Sequence, residues 1–287
     1  MKKSLKAFDF DLNIRENAWL KSHVMNGKAV LPVAVAAELL SQAAIAVNPG
    51  LTFVGYDEMR LQKGVVLDKD SQILHLYSET AELQPDGTYK AIAELRTNGA
   101  KWQHVNAKAE IILAPKGFAL KVPEVQKVDI SKKYNRSIEE AYSQCLFHGE
   151  FLQALTQVNG WSNDGIVAVS KTSKPLADWF KEPMFTNWQS DPLMIDAAYQ
   201  LMILWTTEAL GAPSLPNYAK SYRQFVKSFD GQEVTISAKA AKKSTSSAIA
   251  TIEFITKDGK IAAIIDGYEC TINAALANAF KQRVLGD

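Results

Sequence analysis

A histidine in a short polar loop and an aspartate in an apolar helix are the two side chains of this chain best placed for proton chemistry. His23 lies in His23-Val24-Met25-Asn26-Gly27-Lys28-Ala29-Val30-Leu31-Pro32. The run Val33 to Val47 that follows is apolar on nearly every face, which predicts a helix inside the protein. Pro32 suits the start of that helix, where its missing N–H costs nothing. The amides of Val33 and its neighbours would point outward unpaired, with the positive end of the helix dipole behind them. A base beside such oriented N–H donors can remove a proton next to a carbonyl while the donors hold the developing charge. The same residues also fit a packed histidine and a turn glycine, since such spacings are common.

Asp196 lies in Asp191-Pro192-Leu193-Met194-Ile195-Asp196-Ala197-Ala198-Tyr199-Gln200. Asp191 is the better N-cap, so capping does not explain Asp196. Asp196 and Gln200 are four apart and share one helical face. From Leu193 to Trp205 the rest is apolar apart from the Tyr199 hydroxyl. A carboxyl buried there must be hydrogen-bonded or neutral, and Gln200 is in reach to hold it. Desolvation raises its pKa, which suits an acid that donates near neutral pH.

Two similar patterns carry these residues. In the first, an alternating strand from Phe8 to Ile14 precedes the His23 loop and the Val33–Val47 helix, which Asn48-Pro49-Gly50 stops. An extended segment with a break near Gly64 is expected over 53–67 and strands over 73–83, 89–97 and 102–113, with Pro85-Asp86-Gly87 and Asn98-Gly99 as turns. In the second, Ser137 opens a helix that Leu146 to Glu150 interrupts and that resumes over 151–158. A strand follows over 166–171, then the helix Leu193–Leu210, closed by Gly211 and Pro213. Strands are expected over 222–229, 234–240, 248–256 and 261–271, with Asp230-Gly231 and Asp258-Gly259 as turns and 239–247 mainly a polar loop. The expected division is 1–115, a linker over 116–133, and 134–287. The five lysines of the linker region could meet an acidic partner, but a charge run is usually just solvated.

Composition excludes several classes. The chain has 287 residues, 47% hydrophobic and 22% charged, which is ordinary globular composition. Lys plus Arg number 32 against 31 Asp plus Glu, so no net field favours nucleic acid or a membrane. Two cysteines, Cys145 and Cys270, define no disulfide framework and fit a reducing cytoplasm. The basic start Met1-Lys2-Lys3-Ser4 is followed by no apolar run, so no signal peptide is expected. The four histidines and two cysteines make no chelating spacing, and no metal site is expected. No glycine-rich phosphate loop is present and no nucleotide is expected. Trp179, Phe185 and Trp188 are either core or the lining of an apolar tunnel.

At this point the sequence resembles a family. His23-xxx-Gly27-xxxx-Pro32 is similar to the HxxxGxxxxP signature of polyketide synthase and related dehydratases. Asp196-xxx-Gln200 after Pro192 resembles the family's second signature, and His148-Gly149-Glu150-Phe151-Leu152-Gln153 resembles its YGPxFQ segment. The three stand in the family's order. The chain departs at Asp191, where the family often has His, and at His148, Glu150 and Leu152, where it has Tyr, Pro and Phe.

The resemblance implies an α+β double hotdog: two antiparallel sheets, each wrapped round a central apolar helix. It implies removal of water from a 3-hydroxyacyl thioester carried on the phosphopantetheine of an acyl carrier protein, with no further cofactor. His23 would be the base, Asp196 the acid and Gln200 its orienting partner. Gly27, Pro32, Val33, His148 and Gly149 would lie along the substrate, with His148 equally able to be structural. Other synthase domains are implied partners, and the fold permits a homodimer. The style of the motifs is nearest dehydratases of bacterial polyunsaturated fatty acid synthases. A hotdog thioesterase, an enoyl isomerase and an inactive chain-binding domain are the alternatives.

Overall fold

The computed structural model describes residues 3–67, 70–229 and 231–286. Met1 and Lys2 of the basic start and Asp230 of one expected turn lie outside the described residues.

The first pattern folds as β1 (Leu5–Asn13), a short hairpin of β2 (Val24–Met25) and β3 (Lys28–Ala29), helix α1 (Val33–Val47), then β4 (Leu51–Leu61), β5 (Ser71–Ser78), β6 (Glu82–Leu83), β7 (Tyr89–Asn98) and β8 (Gln103–Pro115). The second folds as α2 (Ile138–Gln144), β9 (Leu155–Ser162), β10 (Gly165–Ser170), α3 (Leu176–Trp179), α4 (Pro192–Leu210), β11 (Ser214–Gln224), β12 (Val234–Ser244), β13 (Ser247–Ile255), β14 (Ile261–Ile272) and α5 (Leu276–Lys281).

Both central helices form where the local sequence directs them. α1 starts after Pro32 and stops at Asn48, whose side-chain amide donates to Ala44 O at 2.9 Å. α4 starts at Asp191, whose carboxylate accepts from Met194 N–H at 2.8 Å. It ends at Gly211, in the left-handed conformation (φ 78°) that spares glycine a Cβ clash. Eleven of the fifteen α1 residues and fifteen of the nineteen α4 residues are buried, so neither helix has a solvent face of any width. Each fully buried Leu, Ile or Met contributes roughly 1.5–3 kcal/mol by leaving water.

Each helix lies in its own antiparallel sheet, α1 against β4, β5, β7 and β8, and α4 against β9 to β12, and the two helices pack together. The two sheets join into one. The strand order is β1-β5-β7-β8-β4-β11-β14-β13-β12-β10-β9, with β6 beside β7. The seam is β4 against β11, with Tyr222 opposite Tyr56 and Arg223 opposite Gly55. A Cβ on Gly55 would stand 2.0 Å from Tyr222 O, so only glycine lets the two strands approach here. This is the hotdog arrangement twice over.

Four expectations need correction. Residues 151–158 are not helix: a 3₁₀ turn over Glu150–Leu152 leads into β9, which pairs with β10. The sheet partner decides the matter, since a short apolar run reads as helix or strand alike. β11 begins at Ser214, eight positions before the expected Tyr222, because β4 and β14 both pair with it. The polar stretch 239–247 continues β12 and β13 as a hairpin whose backbone stays paired beyond the core. The strand expected over 73–83 is broken after Ser78, where the Asn48 side chain takes Ala81 N–H at 2.7 Å and donates to Glu79 O at 3.1 Å.

Residues 116–133 run along the surface beside the second sheet. Lys132 and Trp161 exchange backbone hydrogen bonds at 2.9 Å, which covers the edge strand β9. The Lys132 ammonium sits 4.4 Å from the Trp161 ring centroid.

Candidate active site

The His23 ring is aimed by its own hairpin. Its Nδ1–H donates to Val30 O at 2.7 Å, and Val30 N–H returns a bond to His23 O at 2.9 Å. With the proton on Nδ1, Nε2 keeps its lone pair. His23 is 8% exposed. Burial lowers its pKa from 6.5 to about 4, against the opposing effect of the Val30 hydrogen bond. The imidazole is therefore neutral throughout the physiological range.

Asp196 comes from the other half, on α4, and is 4% exposed. Gln200 Nε2–H donates to Asp196 Oδ2 at 2.8 Å, as the i,i+4 spacing requires. Gln200 is itself fixed: it donates to Leu152 O at 2.9 Å and accepts from Tyr142 O–H at 2.7 Å. Tyr142 in turn accepts from Leu155 N–H at 2.8 Å. Burial raises the Asp196 pKa to about 7, with Gln200 opposing. Burial thus moves the two groups in opposite directions, the His23 imidazole down and the Asp196 carboxyl up.

His148 stands between them. Its Nε2 is 3.4 Å from Asp196 Oδ2, its ring centroid is 5.3 Å from that of His23, and its backbone bridges to His23. Burial and the neighbouring His23 hold its pKa well below 6.5. Its Nδ1 is buried with no hydrogen-bond partner among the described residues. Gly149 is required by close approach: a Cβ there would lie 2.9 Å from Ser22 Cα, and Gly149 N–H donates to Ser22 O at 2.8 Å. That contact draws the His148 segment of the second half onto the His23 loop of the first.

His23, His148 and Asp196 each offer a ligand-type atom within 4.8 Å of the others. The sequence spacing shows no such grouping; the fold assembles it. The three line a cavity of about 250 Å³ with Met25, Val30, Leu31, Val33, Leu61, Gly64, Val66, Phe147, Tyr199, Ile203, Leu215 and Pro216. Its wall is mostly apolar and draws on both halves. Val33 sits in it at the start of α1, and its N–H has no partner among the described residues.

Other expected donors fall elsewhere. Gly27 N–H is spent on Gln282 O at 2.9 Å, and Gly27 lies outside the cavity wall, so it cannot hold a substrate oxygen. Its role is the turn, with Asn26 (φ 53°) and Gly27 (φ 71°) both left-handed. Pro32 caps α1 from outside the wall. Trp179, Phe185 and Trp188 line no part of this cavity. Trp179 and Trp188 pack edge to face at 5.2 Å, Phe185 packs on Phe8, and Trp188 borders a separate hollow of about 530 Å³.

Two positioning residues escape a reading of motifs. Tyr142 orients Gln200 from 58 positions away in sequence. Glu38, buried in α1, accepts from Gln189 N–H, Ser190 N–H, Ser190 O–H and Gln42 Nε2–H, tying α1 to the segment that enters α4. A lone acid in an apolar helix is the signal that could have found Glu38, whereas nothing local marks Tyr142.

The chain matches known proteins along most of its length. Residues 121–278 match the family model described as polyketide synthase dehydratase N-terminal domain. The chain is 26% identical over 207 residues to a component of the polyunsaturated fatty acid synthase of Thraustochytrium sp., a match that takes in 72% of this chain and spans about 7% of that protein. The structure is similar to a trans-AT polyketide synthase dehydratase domain from Brevibacillus brevis (TM-score 0.72, 15% identity, 95% of this chain and 94% of that chain). It is also similar to an inactive Asp-to-Asn mutant of the CurK dehydratase (TM-score 0.70, 17% identity, 98% and 95%). With a double hotdog that sets a histidine and an aspartate from opposite halves on one apolar cavity, and a family match over more than half its length, the chain belongs to the polyketide synthase dehydratase family.

Proposed function

We propose that this chain removes water from a 3-hydroxyacyl thioester, presented on the phosphopantetheine arm of an acyl carrier protein, to give the 2-enoyl thioester. The observation that carries the reading is a neutral histidine with a free Nε2 on the same cavity as a carboxyl whose pKa burial raises to about 7, so that it still holds its proton near neutral pH in a substantial fraction of molecules.

His23 Nε2 takes the α-proton, and the electron pair of that C–H bond forms the C2–C3 double bond. The C3–O bond breaks as Asp196 donates its proton, and the hydroxyl leaves as water. The Val33 N–H, at the positive end of α1, is placed to hold the thioester oxygen as enolate charge develops. Gln200, held by Tyr142, keeps Asp196 aimed. A thioesterase needs an ionised carboxylate with water where His23 stands, and the raised Asp196 pKa disfavours that reading. The polyunsaturated fatty acid synthase relative supports a place in fatty-acid or polyketide chain building, among other synthase domains. No helix of the described residues is long and apolar enough to cross a membrane.

The test is mass spectrometry of a 3-hydroxyacyl chain loaded on an acyl carrier protein. A species lighter by one water is expected, and hydrolysis to free thiol and acid instead would refute the assignment. The pH dependence of kcat/KM should be bell-shaped. It falls below about pH 4 as His23 protonates and above about pH 7 as Asp196 ionises. A profile still rising at pH 9 would mean that Asp196 is not the acid.

A further inference from the structure

The hairpin that carries His23 stands outside the main sheet, since β2 and β3 pair with each other as a sheet of two strands. Its turn is held by the far end of the chain. Asn26 N–H donates to Ala279 O at 3.2 Å, Gly27 N–H to Gln282 O at 2.9 Å, and Gly286 N–H to Gly27 O at 2.9 Å.

The same segment reaches the chemistry from two sides. Phe280, 5% exposed, packs on Phe147 with ring centroids 4.6 Å apart. Phe147 lies 4.2 Å from the His148 ring and meets the His23 ring edge on at 4.9 Å. Arg283 Nη1–H donates to Tyr142 O at 2.6 Å, and the Tyr142 hydroxyl holds Gln200, which holds Asp196. No residue from Ala279 to Gly286 lines the cavity.

We propose that α5 and residues 282–286 form a brace that positions both members of the acid–base pair at once. Phe280 presses the two histidines through Phe147, and Arg283 secures the Tyr142–Gln200–Asp196 chain. These are positioning residues: they touch neither substrate nor reacting atoms. The inference rests on His23 and Asp196 being base and acid. Physically, the brace fixes the turn end of a two-stranded hairpin whose other end is tied by Leu31 N–H to Val65 O and Leu67 N–H to Ala29 O, each at 2.9 Å. Such a hairpin is marginally stable alone, and a catalytic group displaced by about 1 Å can lose about 10²-fold in rate. The brace also completes the apolar packing that desolvates His23, so loosening it admits water and lets the imidazole pKa return toward 6.5.

The full chain and its Phe280→Ala and Arg283→Met variants would be compared by NMR titration of the histidines, with His23→Ala assigning the His23 signal, and by dehydration kinetics. Phe280→Ala is expected to raise the His23 pKa by about one unit or more. It should lower kcat about tenfold or more, with KM changed less than threefold. Arg283→Met should lower kcat and shift the alkaline limb set by Asp196, leaving the His23 titration in place. A folded Phe280→Ala protein with an unmoved His23 pKa and kcat within twofold of the parent would overturn the brace. If Phe280→Ala fails to fold, Gly286→Pro decides, because at an exposed position it removes the N–H given to Gly27 O and sets the proline ring against that oxygen, which breaks the contact. A fall in kcat of about threefold or more is expected there, and unchanged kcat and His23 pKa would overturn the proposal. A parent chain that performs no dehydration would refute the proposed function, while the His23 titration would still decide whether the brace sets that ring.

Discussion

Asp196→Asn is expected to slow turnover by about 10²–10⁴-fold while making the protein harder to unfold above pH 7. The two effects share one cause. Asn keeps the shape of the side chain and can still accept from Gln200 Nε2–H, so the fold is retained, but it has no proton to give the leaving hydroxyl. The native carboxyl is buried, which raises its pKa from 3.8 to about 7. The folded chain therefore holds this proton more tightly than the unfolded chain does. The resulting stability is fully present below about pH 4 and is lost as pH rises through about 7. Three pKa units correspond to at most about 4 kcal/mol. Asn escapes that loss, because it never ionises. Denaturant midpoints for the parent and Asp196→Asn should nearly coincide at pH 4 and diverge by pH 8.5 in favour of the variant. Equal midpoints at both pH values would show that the native carboxyl is ionised and would remove the acid from the mechanism.

His23→Ala should cost a similar 10²–10⁴-fold in kcat. Here stability moves the other way. The Val30 carbonyl loses the Nδ1–H donor at 2.7 Å in a buried setting, which costs about 1–3 kcal/mol. Removing the ring also leaves a hole beside Phe147 and His148, large enough in chemical terms to admit free imidazole. Added imidazole should restore part of the rate, saturably, as a base returned to its place. In the proposed mechanism both residues serve one elimination, so His23→Ala combined with Asp196→Asn should be little slower than the worse single variant. A double variant slowed by the product of the two single effects, with no rescue by imidazole, would indicate two independent structural losses.

Local sequence carried far into this molecule. The apolar runs Val33–Val47 and Pro192–Leu210, with Pro32 and Asn48 at one and Asp191 and Gly211 at the other, are helices as the caps and composition require. Period-two alternation located most strands, and the four-residue spacing of Asp196 and Gln200 is the hydrogen bond seen. His23 and Asp196 stand out in the sequence as candidates, the histidine by its loop just ahead of a buried helix and the carboxyl by its place inside an apolar one.

The rest depended on partners remote in sequence. β9 is a strand because β10 pairs with it, and β11 starts early because β4 and β14 flank it; neither partner is visible in the segment itself. Gly27 looked like an oxyanion donor from its place in the motif, yet its amide is taken by Gln282, more than 250 positions away. His148 enters the site through the contact of Gly149 with Ser22, and Tyr142 through a hydroxyl reaching Gln200. The sequence by itself determined which residues could exchange protons and which helices would bury them, since capping, periodicity and desolvation act over a few residues. Only the tertiary structure decided which donors are free, which nitrogen of His23 keeps its lone pair and how His23 and Asp196 come to one cavity, because hydrogen-bond satisfaction and burial are settled by contacts across the whole chain.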